Sequence, residues 1–241
     1  IVGTLEGIYN KDLNIAKGIN VNLVDPVGLN VSGYPDNRPM YPVANVSKFI
    51  NKLTPTGQAS ATGTAALNPV VLTNAQDGHP WFLTASLNKS FSKGFSAQVS
   101  YTRSEQQALY DGTGDQLFNT WSLNQNSNTG NNPGLSYSNF NIPHRVIAGI
   151  SYRKEYIKNL ATSVSMFLES SHQGRFSYTY TSDFNRDGQT NDLIYIPRDP
   201  SEITFAARPA STATSNVAYT AQQQSDLFFA YIEQDDYLKK N

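Results

Sequence analysis

At 241 residues the chain is long enough to bury one or two cores, and a formal net charge of -1 supplies no field that would gather nucleic acid or an anionic membrane surface. The absence of cysteine excludes disulfides, thiol catalysis and Cys-based zinc sites and leaves the redox compartment unmarked, while His79, His144 and His172 lie too far apart for ligand-like spacing. Charged residues make up only 15%, against roughly a quarter in an ordinary soluble domain, so the surface is neutral-polar; no apolar run approaches the ~18 residues of a membrane-spanning helix, the clearest being Leu227 to Ile232.

The chain opens on Ile1-Val2-Gly3-Thr4, without a Met or a basic leader, and is expected to be an internal stretch of something longer. Gly3 to Tyr9 and Ile19 to Val24 are expected to pair as strands around a turn near Asn10-Lys11-Asp12. A long polar loop follows, from about 25 to 74, rich in Pro, Gly and Asn. From Trp81 to Arg103 the pattern is clear. Leu83, Ala85 and Leu87 alternate with Thr84, Ser86 and Asn88; after Ser92-Lys93-Gly94, Phe95, Ala97, Val99 and Tyr101 alternate with Ser96, Gln98, Ser100 and Thr102. This is a hairpin with one apolar and one polar face.

A second polar loop covers about 104 to 141. Another hairpin then repeats the pattern: Val146, Ala148, Ile150 and Tyr152, a charged connection from Arg153 to Asn159, then Thr162, Val164, Met166 and Leu168. A third long loop runs from about 170 to 226, and the period of Leu227, Phe228, Tyr231 and Ile232 predicts a short amphipathic helix within 221–241. Long loops alternating with short turns are uncommon in compact soluble domains and are what transmembrane barrels have. Trp81, Phe91, Phe95, Tyr101, Tyr152 and Tyr156 fall near strand ends, where interfacial girdles would lie. A soluble β-sandwich would show the same alternation, so the loop asymmetry is the discriminating feature.

Asp183-Phe-Asn-Arg-Asp-Gly-Gln-Thr-Asn-Asp192 is the sharpest local motif. Asp183, Asn185 and Asp187 place oxygen ligands at positions 1, 3 and 5 of a calcium loop, Gly188 supplies the turn at 6 and Gln189 a carbonyl at 7. Position 12 is Ile194 where an EF-hand has Glu, so closure falls to Asp192 or elsewhere. The alternative is an Asx-rich turn held by its own side-chain to backbone bonds. His144 has no nucleophile or carboxylate placed beside it by sequence and reads as structural; Asp111 with Asp115, and Asp235-Asp236, read as solvated loop charges rather than a glycosidase pair. No enzyme is expected.

The blocks Asn141-Ile-Pro-His-Arg-Val-Ile-Ala-Gly-Ile-Ser-Tyr-Arg153, Gly174-Arg-Phe-Ser-Tyr-Thr-Tyr180, Asp183 through Pro197 and Tyr231-Ile-Glu-Gln-Asp-Asp-Tyr-Leu238 resemble the TonB-dependent receptors of Bacteroidetes, in the Oar-like, carboxypeptidase-regulatory-like branch. The resemblance implies a 22-stranded barrel of the Gram-negative outer membrane with an N-terminal plug, coupled to the TonB-ExbB-ExbD complex through that plug and surrounded by outer-membrane lipids, with a surface lipoprotein as a further partner. Residues 1–241 would then be part of the barrel, with plug, TonB box and last strand outside this stretch.

The resulting expectation is an all-β chain forming a portion of an antiparallel transmembrane β-barrel, with barrel wall and extracellular loops serving transport of a bulky substrate. Tyr110, Trp121, Tyr137, Tyr178 and Tyr180 are the candidate contacts to substrate or partner, since Tyr and Trp offer rigid area and the surrounding Asn and Ser adaptable hydrogen bonds. No cofactor is required, a calcium ion at Asp183 to Asp192 being the one candidate, and no nucleic-acid partner is expected. The alternative is a secreted all-β adhesin or carbohydrate-binding module; a β-rich hydrolase would need converging catalytic groups that sequence does not display.

Overall fold

A computed structural model describes residues 1–29, 35–111, 114–210 and 217–240. Stretches of all three long loops, 30–34, 112–113 and 211–216, lie outside the described residues. In chain order the strands are β1 (Val2–Tyr9), β2 (Ile15–Asn20), β3 (Val27–Gly28), β4 (Pro39–Met40), β5 (Val70–Ala75), β6 (Trp81–Ser90), β7 (Phe95–Glu105), β8 (Gln107–Ala108), β9 (Ser136–Tyr137), β10 (His144–Ile157) and β11 (Leu160–Ser171). The helices are α1 (Asn45–Lys48), α2 (Asn119–Ser122) and α3 (Ala221–Gln234). With 39% strand, 14% helix and antiparallel sheets, the chain is all-β.

Five strands form one antiparallel sheet in the order β1-β6-β7-β10-β11, and three two-stranded ribbons pair β2 with β5, β3 with β4 and β8 with β9. Among the described residues the large sheet is open. Its strands are long because the period-two pattern runs with few breaks, and along the strand middles registered pairs put like with like. Leu87 faces Val99, Val99 faces Ala148 and Ala148 faces Leu168; one step along, Ala97 faces Ile150 and Ile150 faces Met166. The same face carries Leu5 opposite Ala85. The other face carries Ser86, Asn88, Gln98, Ser100, Ser151 and Ser165, with a Thr84 to Thr102 hydroxyl bond of 2.9 Å across two strands. Val2, Ile8, Phe82, Ile147 and Phe167 are the larger apolar exceptions there. The apolar face is not covered by the rest of the chain: Leu5 is 74% exposed, Val99 43% and Met166 63%.

Both short connections lie at one end. Lys93 and Gly94 turn β6 into β7 with φ of 65° and 79°, and a Cβ at Gly94 would run into the carbonyl oxygen of Arg153. Asn159, with φ 71°, turns β10 into β11, a conformation Asn tolerates. The charged stretch after Tyr152, expected as connection, is strand as far as Ile157, with a register shift between Glu155 and Ile157. Arg153 pairs with Glu155 at 3.1 Å and the Lys154 ammonium lies over Tyr156.

All three long segments leave from the opposite end, because Tyr9 registers with Trp81, Trp81 with Glu105, and Arg145 with Ser171. One expected pairing is corrected. β1 does not form a hairpin with the next strand; it pairs with β6, and β2 pairs with β5. The physical reason is that Leu5 extends the apolar face of the large sheet, whereas β2 turns its buried Gly18 and Asn20 into the loop layer.

That layer has a core of its own. Leu23, Tyr41 and Phe49 from the first long segment pack with Trp121 of the second, flanked by Val24, Val70 and Phe118. Asparagines do much of the bracing. Asn20 Nδ2 donates to Asn68 Oδ1 at 2.8 Å, its backbone N–H donates to Asn131 Oδ1 at 2.7 Å and Asn131 Nδ2 returns a bond to the Asn20 carbonyl at 2.9 Å. Asn22 bridges the Asn51 and Leu67 carbonyls at 3.0 and 3.1 Å. An amide that both donates and accepts can replace the ladder bonds irregular backbone lacks. The expected helix is α3, started by a reciprocal capping box between Thr220 and Gln223, with Ile232 buried and Phe228 against Phe205.

Candidate functional site

The loop from Asp183 to Asp192 sits in this layer. Arg186 and Gly188 take φ of 66° and 97°, curling the backbone so that successive N–H groups point inward. Asp183 Oδ2 accepts from Gly188 N, Asn185 Oδ1 from Asp187 N and Asp187 Oδ1 from Gln189 N, each at 2.8 Å. Asp192 reaches back to the front of the loop, its Oδ2 accepting from Phe184 N at 2.8 Å and Asn185 N at 3.3 Å. Gln189 is half-buried beside them.

Asn185, Asp187 and Asp192 are each fully buried. The second oxygen of Asp192 and the Oδ1 of Asp183 are shielded from solvent and lack a hydrogen-bond partner, as is Asn126 Oδ1 on the strand segment bridged to Asp192. Burial pushes the Asp187 carboxyl up to about 6, with Asp183 and Asp192 adding repulsion. Asp192 is raised for the same leading reason, partly opposed by its backbone bonds and by Arg38. Arg38 is itself held by Asp36 at 2.9 Å, donates to the Leu193 carbonyl at 2.6 Å and lies over the Phe184 and Tyr180 rings. As the side chains stand, no three His, Cys, Asp or Glu groups among the described residues are gathered tightly enough to ligate one ion.

The candidate contact residues divide. Trp121 is 0% exposed, wedged against Gly130 in the loop core. It therefore offers no surface to a substrate in this arrangement, because the hydrophobic drive that buries a large indole won over any contact role. Tyr180 stacks on Phe184 at 4.4 Å and its hydroxyl accepts from Tyr195 N, so it braces the carboxylate loop. Tyr110 is half-buried in the second segment. Tyr137 and Tyr178 alone among the five line a common cleft of about 890 Å³ at the loop end of the sheet.

Sequence reading missed the rest of this cleft. Arg103 and His144 come from the ends of β7 and β10, and His172 and Arg175 from just past β11. Arg103 Nη1 lies 3.0 Å from His144 Nε2, the Tyr101 hydroxyl 2.6 Å from Nδ1, and the His172 ring 5.0 Å from that of His144. Arg175 stacks over Tyr137 at 4.0 Å, and the Tyr178 hydroxyl meets that of Tyr231 at 2.6 Å. Strand register brings Arg103, His144 and His172 together, and loop and helix packing adds Arg175, Tyr178 and Tyr231. Asp111, at the cleft, accepts from Asn139 N at 2.7 Å, and Asp115 is exposed. No family model matches the sequence, and no curated protein or solved structure matches it either.

Proposed function

We propose that the five-stranded sheet is a stretch of the wall of an outer-membrane β-barrel and the three long segments its outward-facing cap, in a protein that moves a bulky substrate across that membrane. One observation carries this reading: a register-aligned apolar face spans all five strands and is left open to the surroundings, while the opposite face is rich in Ser, Thr, Asn and Gln. Soluble monomers rarely expose apolar patches beyond a few hundred Å². In a barrel the arrangement is the required one, with lipid outside and water inside.

The dimensions agree. From Trp81 to Phe91 the chain runs roughly 34 Å at ~3.4 Å per residue, and a tilt of about 40° reduces this to a height of about 26 Å, near the ~25 Å apolar band of such barrels. Phe91, Phe95 and Tyr152 lie towards the short-turn end and Tyr9, Trp81 and Tyr101 towards the long-loop end, as two aromatic girdles would. The open edges of β1 and β11 would pair with further strands, since unpaired backbone is not tolerated in lipid.

The resemblance to TonB-dependent receptors supports energy coupling through TonB-ExbB-ExbD acting on a plug, with Tyr137 and Tyr178 as the substrate or partner contacts. The test is the intact parent protein. It is expected to fractionate with outer membranes and to run with heat-modifiable mobility on gels. A freely soluble parent would overturn the transport reading and favour a secreted binding module built on the same cap.

A further inference from the structure

We infer that the loop Asp183–Asp192 is a calcium site, and that the bound ion clamps the three long segments into one cap. The ligand chemistry comes from atoms the fold has buried without satisfying. Asp192 is fully buried, one oxygen fastened to the N–H groups of Phe184 and Asn185, so its carboxylate lies inside the loop; the other oxygen has no partner. Asp183 Oδ1 is also shielded and unpartnered, and so is Oδ1 of Asn126, whose backbone bridges to Asp192 from a different segment. Leaving a buried acceptor unmade costs roughly 1–3 kcal/mol, more when it is charged, so several such atoms around one loop call for a cation to face them.

The Arg38 guanidinium acts on Asp192 only at a distance, because its own bonds go to Asp36 and the Leu193 carbonyl. The donors are carboxylate, amide and carbonyl oxygens, and the loop contains neither His nor Cys, which excludes the softer transition metals in favour of a hard divalent ion. Calcium takes 6–8 oxygens with loose geometry, whereas magnesium demands a near-ideal octahedron. Asp192 does what a twelfth-position Glu does in an EF-hand: it returns to the front of the loop and closes it, although it stands two residues earlier. Asp183 and Asp192 each keep one oxygen on backbone N–H groups and leave the other free to face an ion, whereas the second oxygen of Asp187 takes a long bond of 3.4 Å from Asn185 Nδ2, which an ion would displace.

The ion would be felt beyond the loop. The Asn185 carbonyl accepts from Tyr41 N at 2.8 Å in the first segment, and Asn185 Nδ2 reaches the Asn128 carbonyl at 3.3 Å in the second. Asn126 N donates to the Asn191 carbonyl, and Leu193 N donates to that of Asn126. Fixing the loop therefore fixes its stitches to both other segments. None of this depends on what covers the sheet.

The experiment is calorimetric titration of calcium chloride into the full-length protein after chelator treatment, with limited proteolysis of the same samples. Saturable calcium heat is expected, weakened about tenfold or more by Asp187→Asn and by Asp192→Asn, and cleavage within the three long segments is expected to slow about tenfold when calcium saturates the site. Asp111→Asn, outside the loop, should titrate as wild type. Absence of heat at millimolar calcium, equal affinity in wild type and both loop variants, or binding of magnesium as tight as calcium would overturn the assignment. Should the buried substitutions prevent folding, the half-exposed Asp183→Asn and the wild-type titration decide the matter. Membrane fractionation reads the barrel proposal separately, so either can fail alone.

Discussion

Replacing Val99 by Arg asks whether the open apolar face meets lipid. Val99 lies between Leu87 and Ala148 on the central strand of the sheet, near the middle of β7 (Phe95–Glu105). Against lipid, Arg at mid-depth costs about 2–4 kcal/mol, falling to about 0–1 near the interfaces. A loss of that size is roughly 30- to 1000-fold in the folding constant. At a water-exposed strand surface the same change stays within about 0.5 kcal/mol. Two controls set the sign of the inference: Gln98→Arg points to the polar face one residue away, and Val146→Arg lies on the apolar face opposite Tyr101, near the loop end. Denaturant unfolding of the full-length protein in lipid vesicles is expected to rank Val99→Arg as severe and both controls as mild. Equal costs at 98 and 99 would refute the two-faced reading; equal costs at 99 and 146 would indicate a face covered by protein rather than by a bilayer.

Three further outcomes follow from the same geometry. In chelator, thermal stability of the cap is expected to fall as pH rises from about 4 to 7: Asp187 holds its proton more tightly when folded, so its contribution is full below the ordinary carboxylate range and is lost through about 6; a stability that climbs over that window would contradict the burial argument. Trp121→Ala should destabilise the cap by about 3–5 kcal/mol, read as rapid proteolysis of the long segments with the sheet's heat-modifiable mobility retained; an unchanged digestion pattern would remove Trp121 from the core. Gly94→Val should impair folding of the β6–β7 turn, since the φ of 79° disfavours a side chain and a Cβ meets the Arg153 carbonyl, and wild-type refolding yield would show the turn to be more tolerant than drawn.

The two hairpins were legible because local alternation contains everything they need. Leu83 to Leu87 and Val146 to Tyr152 declare their faces at period two, and Ser92-Lys93-Gly94 declares its turn. The helix was equally local, declared by the period of Leu227, Phe228, Tyr231 and Ile232, while its cap between Thr220 and Gln223 is seen in the structure. The calcium-like spacing is readable from Asp183 to Gln189, with Asp192 one candidate for its closure, but only the curled backbone shows Asp192 returning to Phe184 N.

The residues alone therefore declare the period of the strands, the short turns set against long segments, and the oxygen-bearing side chains of one loop, all readable without any non-local contact. Tertiary structure alone decided that β1 pairs with β6 across seventy-odd intervening positions, that Trp121 is core rather than contact surface, and that Arg103, His144, His172 and Arg175 share a cleft with Tyr137. The physical reason is that non-local partners are selected by which apolar faces and unsatisfied amides can be buried together, a property of the whole packed layer. Polar Asn-rich segments carry no periodic mark of burial, because an asparagine bonded to another segment's backbone reads, residue by residue, like one bonded to water.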